Sequence, residues 1–310
     1  MYETIIVGGG PAAVAAGVYA ARKQLKTALF ANQIGGQSVV SDGIENWIGE
    51  PLITGPELAL KLKKHLEAQG DNIELFIGKN VDKVHKNDDN TFTVKVGDDV
   101  YKTRSVIVCS GGRHRRLEVP GEEKFEGRGV AFCATCDAAF FKDKDVAVVG
   151  GGNSGLEAVV DLMPYAKKIY LLARKPEGSL RGDPITQKQV LDSDQVEIIY
   201  ESNVTEILGE QMVTGLKYKK TDTGEEKEIA VQGVFVEIGS VPNSEIVADL
   251  VETNEWNDII VDCETQATSC KGIFAAGDVT NSRYRQNNIA VGDAIKALLS
   301  AYEYIKKSKN

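Results

Sequence analysis

Histidine and cysteine are both scarce in this 310-residue chain, with 3 and 5 respectively, and the shortage excludes two classes of protein. His65, His85 and His114 lie far apart with no ligand spacing, so a zinc site is not expected. The cysteines are too few for a disulfide scaffold, and only Cys133 and Cys136 are near neighbours. Cys109 ends the apolar run Val106-Ile107-Val108 and reads as a buried, inert thiol. Positive charge is also short: 36 Lys and Arg against 45 Asp and Glu leave a net charge of -9, which argues against a nucleic-acid partner. The small basic cluster Arg113-His114-Arg115-Arg116 follows a glycine pair and reads as a solvated bend. The longest uncharged run, Ile5 to Ala21, contains Gly-Gly-Gly-Pro and follows Glu3 rather than a basic segment. Neither a membrane span nor a signal peptide fits it, and a cytoplasmic location is expected.

What is present belongs to a globular protein, with 42% hydrophobic and 26% charged residues and length enough for two domains. Tyr2 to Val7 reads as a buried strand running into Gly8-Gly9-Gly10, followed by a helix over Ala12–Lys23 and a strand over Thr27–Ala31. Glu57 to Gln69 has helical periodicity, with Leu58, Leu62 and Leu66 on one stripe. Val81 to Val100 alternates as a meander, and Ser105 to Ser110 reads as a further buried strand. Pro120-Gly121-Glu122-Glu123 has the composition of a linker. The pattern then restarts, with a strand over Asp145–Val149, a glycine loop, a helix over Ser154–Met163 and a strand over Ile169–Ala173. A second meander (Val204 to Ile229), a strand (Gly233 to Ile238) and a return linker at Gly239–Asn243 follow. The last segment carries a strand ending at Ala276-Gly277-Asp278 and a long helix from about Asn288. The expected fold is α/β: two three-layer, Rossmann-like nucleotide-binding domains, the second inserted into the first. The expected boundaries are 1–117 with 244–310, and 118–243.

Each glycine loop is a dinucleotide fingerprint by context as well as by spacing. In the first, Gly8 permits the tight turn and Gly10 lets the backbone approach a pyrophosphate. Pro11 and Ala12 open the helix, and Ala13 takes the third position, where a small side chain allows helix–strand packing. The second strand ends at Phe30-Ala31-Asn32 with no acid for a ribose diol, so FAD is expected here rather than NAD. Gly35-Gly36-Gln37 supplies a loop able to approach a planar ring. Gly277-Asp278 places a carboxylate where it accepts from ribityl hydroxyls, unless it serves as a turn cap. The second fingerprint has Gly150, Gly152 and Gly155, with Asn153 and Ser154 at the helix start. About 20 residues further on, where an NAD site carries an acid, stand Arg174 and Lys175, followed by Arg181. These cations suit a 2′-phosphate, favouring NADPH; otherwise they are solvated surface charges.

Cys133-Ala134-Thr135-Cys136-Asp137 lies within this second unit. A C-x-x-C pair is a redox couple or half a zinc site, and no second C-x-x-C or histidine pair accompanies it. Asp137 is an adjacent acid able to exchange protons with a thiolate, and a helix starting here would lower one thiol's pKa. Two nucleotide pockets and a dithiol imply two-electron traffic from nicotinamide to flavin to disulfide.

With these motifs, Glu45-Asn46 and Tyr284-Arg285-Gln286, the whole chain resembles the low-molecular-weight thioredoxin reductases. It is also similar to the flavoprotein part of alkyl hydroperoxide reductase F, whose end Ser300-Ala301-Tyr302-Glu303-Tyr304 resembles; that enzyme has an additional N-terminal thioredoxin-like domain, not expected ahead of a glycine loop beginning at residue 8. The resemblance implies that Cys136 receives electrons from the flavin, that Cys133 attacks the substrate disulfide, and that Asp137 is their acid/base. Asn46, Asp278 and Gln286 would contact FAD, and Arg285 would help at the domain interface. A homodimer is implied, with the inserted domain rotating on linkers near Leu117–Glu122 and Gly239–Asn243. The implied activity is electron transfer from NADPH through FAD and the dithiol to a thioredoxin-like protein. The alternatives are NADH or ferredoxin as donor, a glutaredoxin-like or peroxiredoxin partner, or a non-catalytic redox sensor. Ala173-Arg174-Lys175 departs from the family's His-Arg-Arg, and lysine is a point charge rather than a bidentate fork, which implies weaker or less selective NADPH binding. Ala138-Ala139 replaces a glycine-containing stretch common after the dithiol.

Overall fold

Alternation of buried side chains along short apolar strands is what layers this protein. The computed structural model describes residues 1–41 and 43–307; Asp42 and residues 308–310, within the expected flavin domain, lie outside them. Contacts divide the chain into two units. The first comprises Met1–Ser41, Trp47–Arg113 and the segment from Val241 onward; the second comprises His114–Ser240 with a short stretch ending at Asn46.

In the first unit Tyr2–Val7 lies between Thr27–Ala31 and Asp99–Val108, parallel to both, with Ile73–Ile77 continuing the sheet beyond Thr27–Ala31. Ile5 and Val7 face one side with Phe30, Val106 and Val108, against Phe92, Val94 and Val96 of the meander. Ile6, Leu29 and Ile107, out of phase by one residue, are fully buried toward the opposite face, the period of 2 expected of a strand. Each large aliphatic side chain so buried contributes roughly 1.5–3 kcal/mol.

The meander and the expected Ser105–Ser110 strand prove to be parts of one element. No glycine or proline interrupts Asp99–Val108, so a single strand runs antiparallel to Phe92–Val96 and then parallel to Tyr2–Val7. Thr103 marks the change, pairing with Phe92 on one side and Tyr2 on the other. The edge strand Ile73–Ile77 was not expected; its Phe76 stacks on Phe30 at 4.5 Å between ring centroids. The helix expected from Glu57 starts at Gly55, because Thr54 and Glu57 form a capping box: Glu57 N–H donates to Thr54 Oγ1 (3.3 Å) and Thr54 N–H to Glu57 Oε2 (3.0 Å).

The second unit orders its parallel strands as Val196–Ile199, Lys168–Leu172, Asp145–Val149, Gly233–Val236 and Val130–Ala131. Val146 and Val148 face the helices with Leu156, Val159 and Leu162. Ala147 and Val149 face the antiparallel sheet with Ile207, Val213 and Leu216. This gives helices, parallel sheet and antiparallel sheet as three layers. Pro120-Gly121-Glu122-Glu123 packs inside this unit instead of linking. Ile207 N–H donates to Pro120 O at 2.9 Å, and Glu122 is buried, accepting from the N–H groups of Leu117 (2.9 Å) and Glu118 (2.8 Å). Its carboxylate satisfies donors that a solvated linker would leave to water. The contact-defined units instead change over between Arg113 and His114, and between Ser240 and Val241. The basic cluster there is not simply solvated: Arg113 pairs with Glu245 (2.8 Å), Arg116 pairs with Glu126 (2.6 Å), and His114 stacks on Phe132 at 5.0 Å.

Candidate functional site

The first glycine loop closes tightly because a side chain cannot fit. Gly8 has φ +129°, and a Cβ there would stand 2.0 Å from Cys109 O. Gly10 precedes the helix Pro11–Arg22 with no side-chain cap, so the N–H groups of Ala12 and Ala13 have no partner from the helix itself. Ala13 is fully buried, as the third fingerprint position requires. Gly35 N–H donates to Gly9 O at 2.8 Å, bringing Gly36 against Gly10.

A cleft of about 420 Å³ lies here, lined by Gly8, Gly10, Pro11, Ala12, Gly36, Gln37, Gly277 and Asp278 among others. Most of the expected flavin-side residues are therefore brought together at the C-terminal ends of the parallel strands, where such folds bind ligands. Desolvation raises the Asp278 carboxyl above the ordinary range, opposed by the charge of Arg285. Asn46, Arg285 and Gln286 do not line this cleft. Arg285 Nη2 reaches Asp258 Oδ1 at 2.7 Å, a carboxylate almost wholly buried and also bonded by Asn254 Nδ2. The sequence reading missed Lys79, Asn80, Ser38 and Asn287, all on the cleft wall. Ser38 and Asn287 are joined, with Asn287 Nδ2 donating to Ser38 Oγ at 2.9 Å. Lys79 and Asn80 follow the unexpected strand Ile73–Ile77, whose apolar run was the available signal.

The second loop repeats the construction. Gly150 has φ +140°, a Cβ on it would stand 2.2 Å from Glu237 O, and one on Gly155 would stand 1.8 Å from Gly150 O. Nothing lies within 4 Å of a Cβ built on Gly152, and the helix Asn153–Leu162 that it precedes has no side-chain cap. Open space before uncapped N–H groups fits a phosphate. Arg181 N–H donates to Gly151 O at 2.9 Å, and Asn153 Oδ1 accepts from Asp183 N–H at 3.3 Å. The lengthened loop thus folds back on the glycine turn, placing exposed Arg181 beside it, while Arg174 and Lys175 stand exposed at the neighbouring strand end.

Cys133 and Cys136 form a disulfide with Cα atoms 5.3 Å apart. The strand Val130–Ala131 delivers Cys133, and a short helix over Ala134–Asp137 carries Cys136 and Asp137, with Cys136 and Asp137 N–H groups both 3.2 Å from Cys133 O. Glu237, which the sequence reading passed over, follows the strand Gly233–Val236 beside this turn. Loss of hydration pushes its carboxyl up to about 8. The other cysteines stand apart from the couple: Cys109 is fully desolvated and pushed up to about 12, Cys270 is buried, and Cys263 is exposed. Among the described residues no helix is long and apolar enough to cross a membrane.

Comparison with known proteins agrees with this geometry. A family model described as pyridine nucleotide-disulphide oxidoreductase matches residues 2–294. A Bacillus subtilis (strain 168) protein named NADH dehydrogenase is 40% identical over 304 residues, 98% of this chain and 58% of its own length. The alkyl hydroperoxide reductase F protein of Staphylococcus aureus (strain MSSA476) is 39% identical over 304 residues, 98% of this chain and 59% of its own. The chain thus spans a little under three-fifths of these curated relatives. The thioredoxin reductase of Streptococcus pyogenes MGAS5005 superposes with a TM-score of 0.91 at 38% identity, covering 99% of both chains. That of Lactococcus lactis, in its FR conformation, gives 0.69 at 36% identity, covering 99% of this chain and 100% of its own.

Proposed function

Because the chain belongs to the pyridine nucleotide-disulphide oxidoreductase family, we propose that it passes electrons from NADPH through FAD and Cys133–Cys136 to a thioredoxin-like protein. The observation that carries this reading is a disulfide turn and a glycine loop at the C-terminal edge of one sheet, in a unit inserted into a second glycine-loop unit.

Bound FAD would supply two-electron redox chemistry from a planar ring, and the nicotinamide would supply hydride. The first-turn N–H groups of Ala12 and Ala13 would hold the pyrophosphate, Gly36 and Gln37 would lie toward the ring, and Asp278 would accept from hydroxyls. In the second unit Gly152, Asn153 and Ser154 would present the helix start to phosphates, while Arg174, Lys175 and Arg181 would hold a 2′-phosphate. Two electrons break the Cys133–Cys136 bond. Cys133 Sγ then attacks the partner's disulfide, forming a mixed disulfide and expelling a thiolate that Asp137 protonates. Asp137 takes the Cys136 proton, and the Cys136 thiolate attacks Cys133 Sγ, restoring the internal disulfide and expelling the second partner sulfur as a thiolate that is protonated from solvent.

Two observations favour a second reading with NADH as donor and a peroxiredoxin as partner. Lys175 stands where a second guanidinium would grip the phosphate, and the curated relatives bear the names NADH dehydrogenase and alkyl hydroperoxide reductase F. Rapid-mixing reduction of the flavin by NADPH, NADH and reduced ferredoxin, followed by turnover with a thioredoxin or a peroxiredoxin, separates the two. In the same assay Cys136→Ser should abolish partner reduction while NADPH still bleaches the flavin. Partner reduction at the wild-type rate would show the relay to be misassigned.

A further inference from the structure

Glu237 is an ionisable group for which the reaction above has no use. Its N–H donates to Val149 O at 2.9 Å, which fixes it beside the Gly150 turn. On the other side, Gly233–Val236 pairs with Val130–Ala131, Phe235 opposite Ala131, so Glu237 is held next to the segment that enters Cys133. Its carboxylate accepts a hydrogen bond from Ala134 N–H, between the two cysteines. The charged groups acting on it are Asp161 and Glu157 from the helix Asn153–Leu162, and Asp137 from the dithiol turn; all are acidic. Asp161 is itself tied to that turn, with Thr135 Oγ1 donating to its Oδ2 at 2.6 Å.

Resting on the disulfide-reductase reading, we propose that Glu237 and the reduced Cys133–Cys136 pair form one proton-sharing site, able to carry a single negative charge at working pH. Reduction breaks the S–S bond with two electrons, leaving one sulfur as a thiolate and the other as a thiol that has taken one proton from solvent. A thiolate placed among Asp137, Glu157 and Asp161 is tolerated when Glu237 is neutral and contributes its hydrogen-bonding turn without its charge. When the shared proton passes from Glu237 to the thiolate, the charge moves to the carboxylate, and like-charge repulsion holds the thiol pKa up until that last proton is removed. Glu237 is a positioning residue: it acts on the sulfurs through Ala134 N–H and through its charge. Burial favours keeping the proton on Glu237 up to about pH 8, so at neutrality the single charge rests on sulfur, and the last proton leaves the pair only on the alkaline side, over a broadened range.

The test uses the full chain reduced with dithiothreitol, with alkylation of Cys133 and Cys136 by iodoacetamide followed by mass spectrometry across pH 6 to 10. Wild type should titrate over a broadened range, whereas Glu237→Gln should give a single sigmoid with its midpoint about one pH unit lower. Coincident curves would overturn the proposal. If E237Q does not fold by circular dichroism, infrared spectroscopy of wild type decides: the neutral-carboxyl band should persist to higher pH in the reduced protein than in the oxidised one. Identical titration of that band in both states would also overturn it. Neither measurement needs nucleotide, so failure of NADPH to bleach the flavin would sink the reductase reading separately.

Discussion

The two glycine loops are built to one backbone plan and carry different side chains on it. In each, the first glycine lies against the carbonyl of the residue that follows the neighbouring strand, Cys109 in the first unit and Glu237 in the second. That equivalence isolates one variable. Buried Cys109 is a thiol pushed so far up that it stays neutral, and it fills space. Glu237, at the matching place, is a carboxyl whose proton is released near the pH at which a thiol titrates. The plan of the backbone is therefore the general part of a nucleotide loop, and the side chain behind the first glycine is free to be specialised. The third positions differ too. Ala13 is accommodated in the first unit, whereas in the second a methyl at Gly155 would collide with Gly150 O.

The comparison is broken most severely at the first glycines. Gly8→Ala should give colourless protein that takes up no flavin, and Gly150→Ala should give yellow protein that nicotinamide no longer bleaches; each substitution carries a strain of about 3 kcal/mol. Visible absorbance of the purified variants before and after NADPH checks both, and a normally bleachable G150A would refute the matching of the two loops. In folding stability rather than cofactor uptake, Phe235→Ala empties the helix-facing core of the second unit and should cost about 3–5 kcal/mol, read by urea titration. Replacing Arg174 and Lys175 with alanine should raise the KM for NADPH about thirtyfold and leave that for NADH within twofold, since each exposed contact to a phosphate is worth about 1 kcal/mol. Equal effects on the two cofactors would remove the 2′-phosphate assignment.

A different kind of effect concerns stability against pH. Folded Glu237 holds its proton up to about pH 8, while the unfolded chain releases it near 4.5, so the folded state binds more protons between these values. Stability contributed by this residue is accordingly present in full below pH 4.5 and declines as pH rises toward 8. Tm measured at pH 6 and pH 8.5 should fall less in Glu237→Gln than in wild type. Finally, iodoacetamide applied to the oxidised native protein should label Cys263 and spare Cys109, because one thiol is exposed and the other buried.

Much of the fold was legible because each fingerprint packs its information into adjacent residues: an apolar strand, a glycine turn, a small-residue helix. Other elements were read less well for identifiable reasons. Asp99–Val108 looked like two strands because its first half alternates while its second half is apolar throughout; it changes partners midway, at Thr103. Pro120–Glu123 looked like a linker because polar turn residues have the same composition whether they face water or bury a carboxylate, as Glu122 does. Arg285 was read as a site residue on its motif alone, and its ion pair with Asp258 lay outside any local pattern.

What the chain determines by itself is the set of local backbone demands: where a left-handed turn must occur, where a methyl cannot stand, which two cysteines are close enough to bond. Tertiary structure alone decides which distant side chains share an edge of a sheet. Glu237 meets the dithiol, and Arg181 meets the second glycine loop, because strand order places the ends of Lys168–Leu172, Asp145–Val149, Gly233–Val236 and Val130–Ala131 side by side. That order follows from how whole apolar faces are buried between layers, a property that no short window of residues contains.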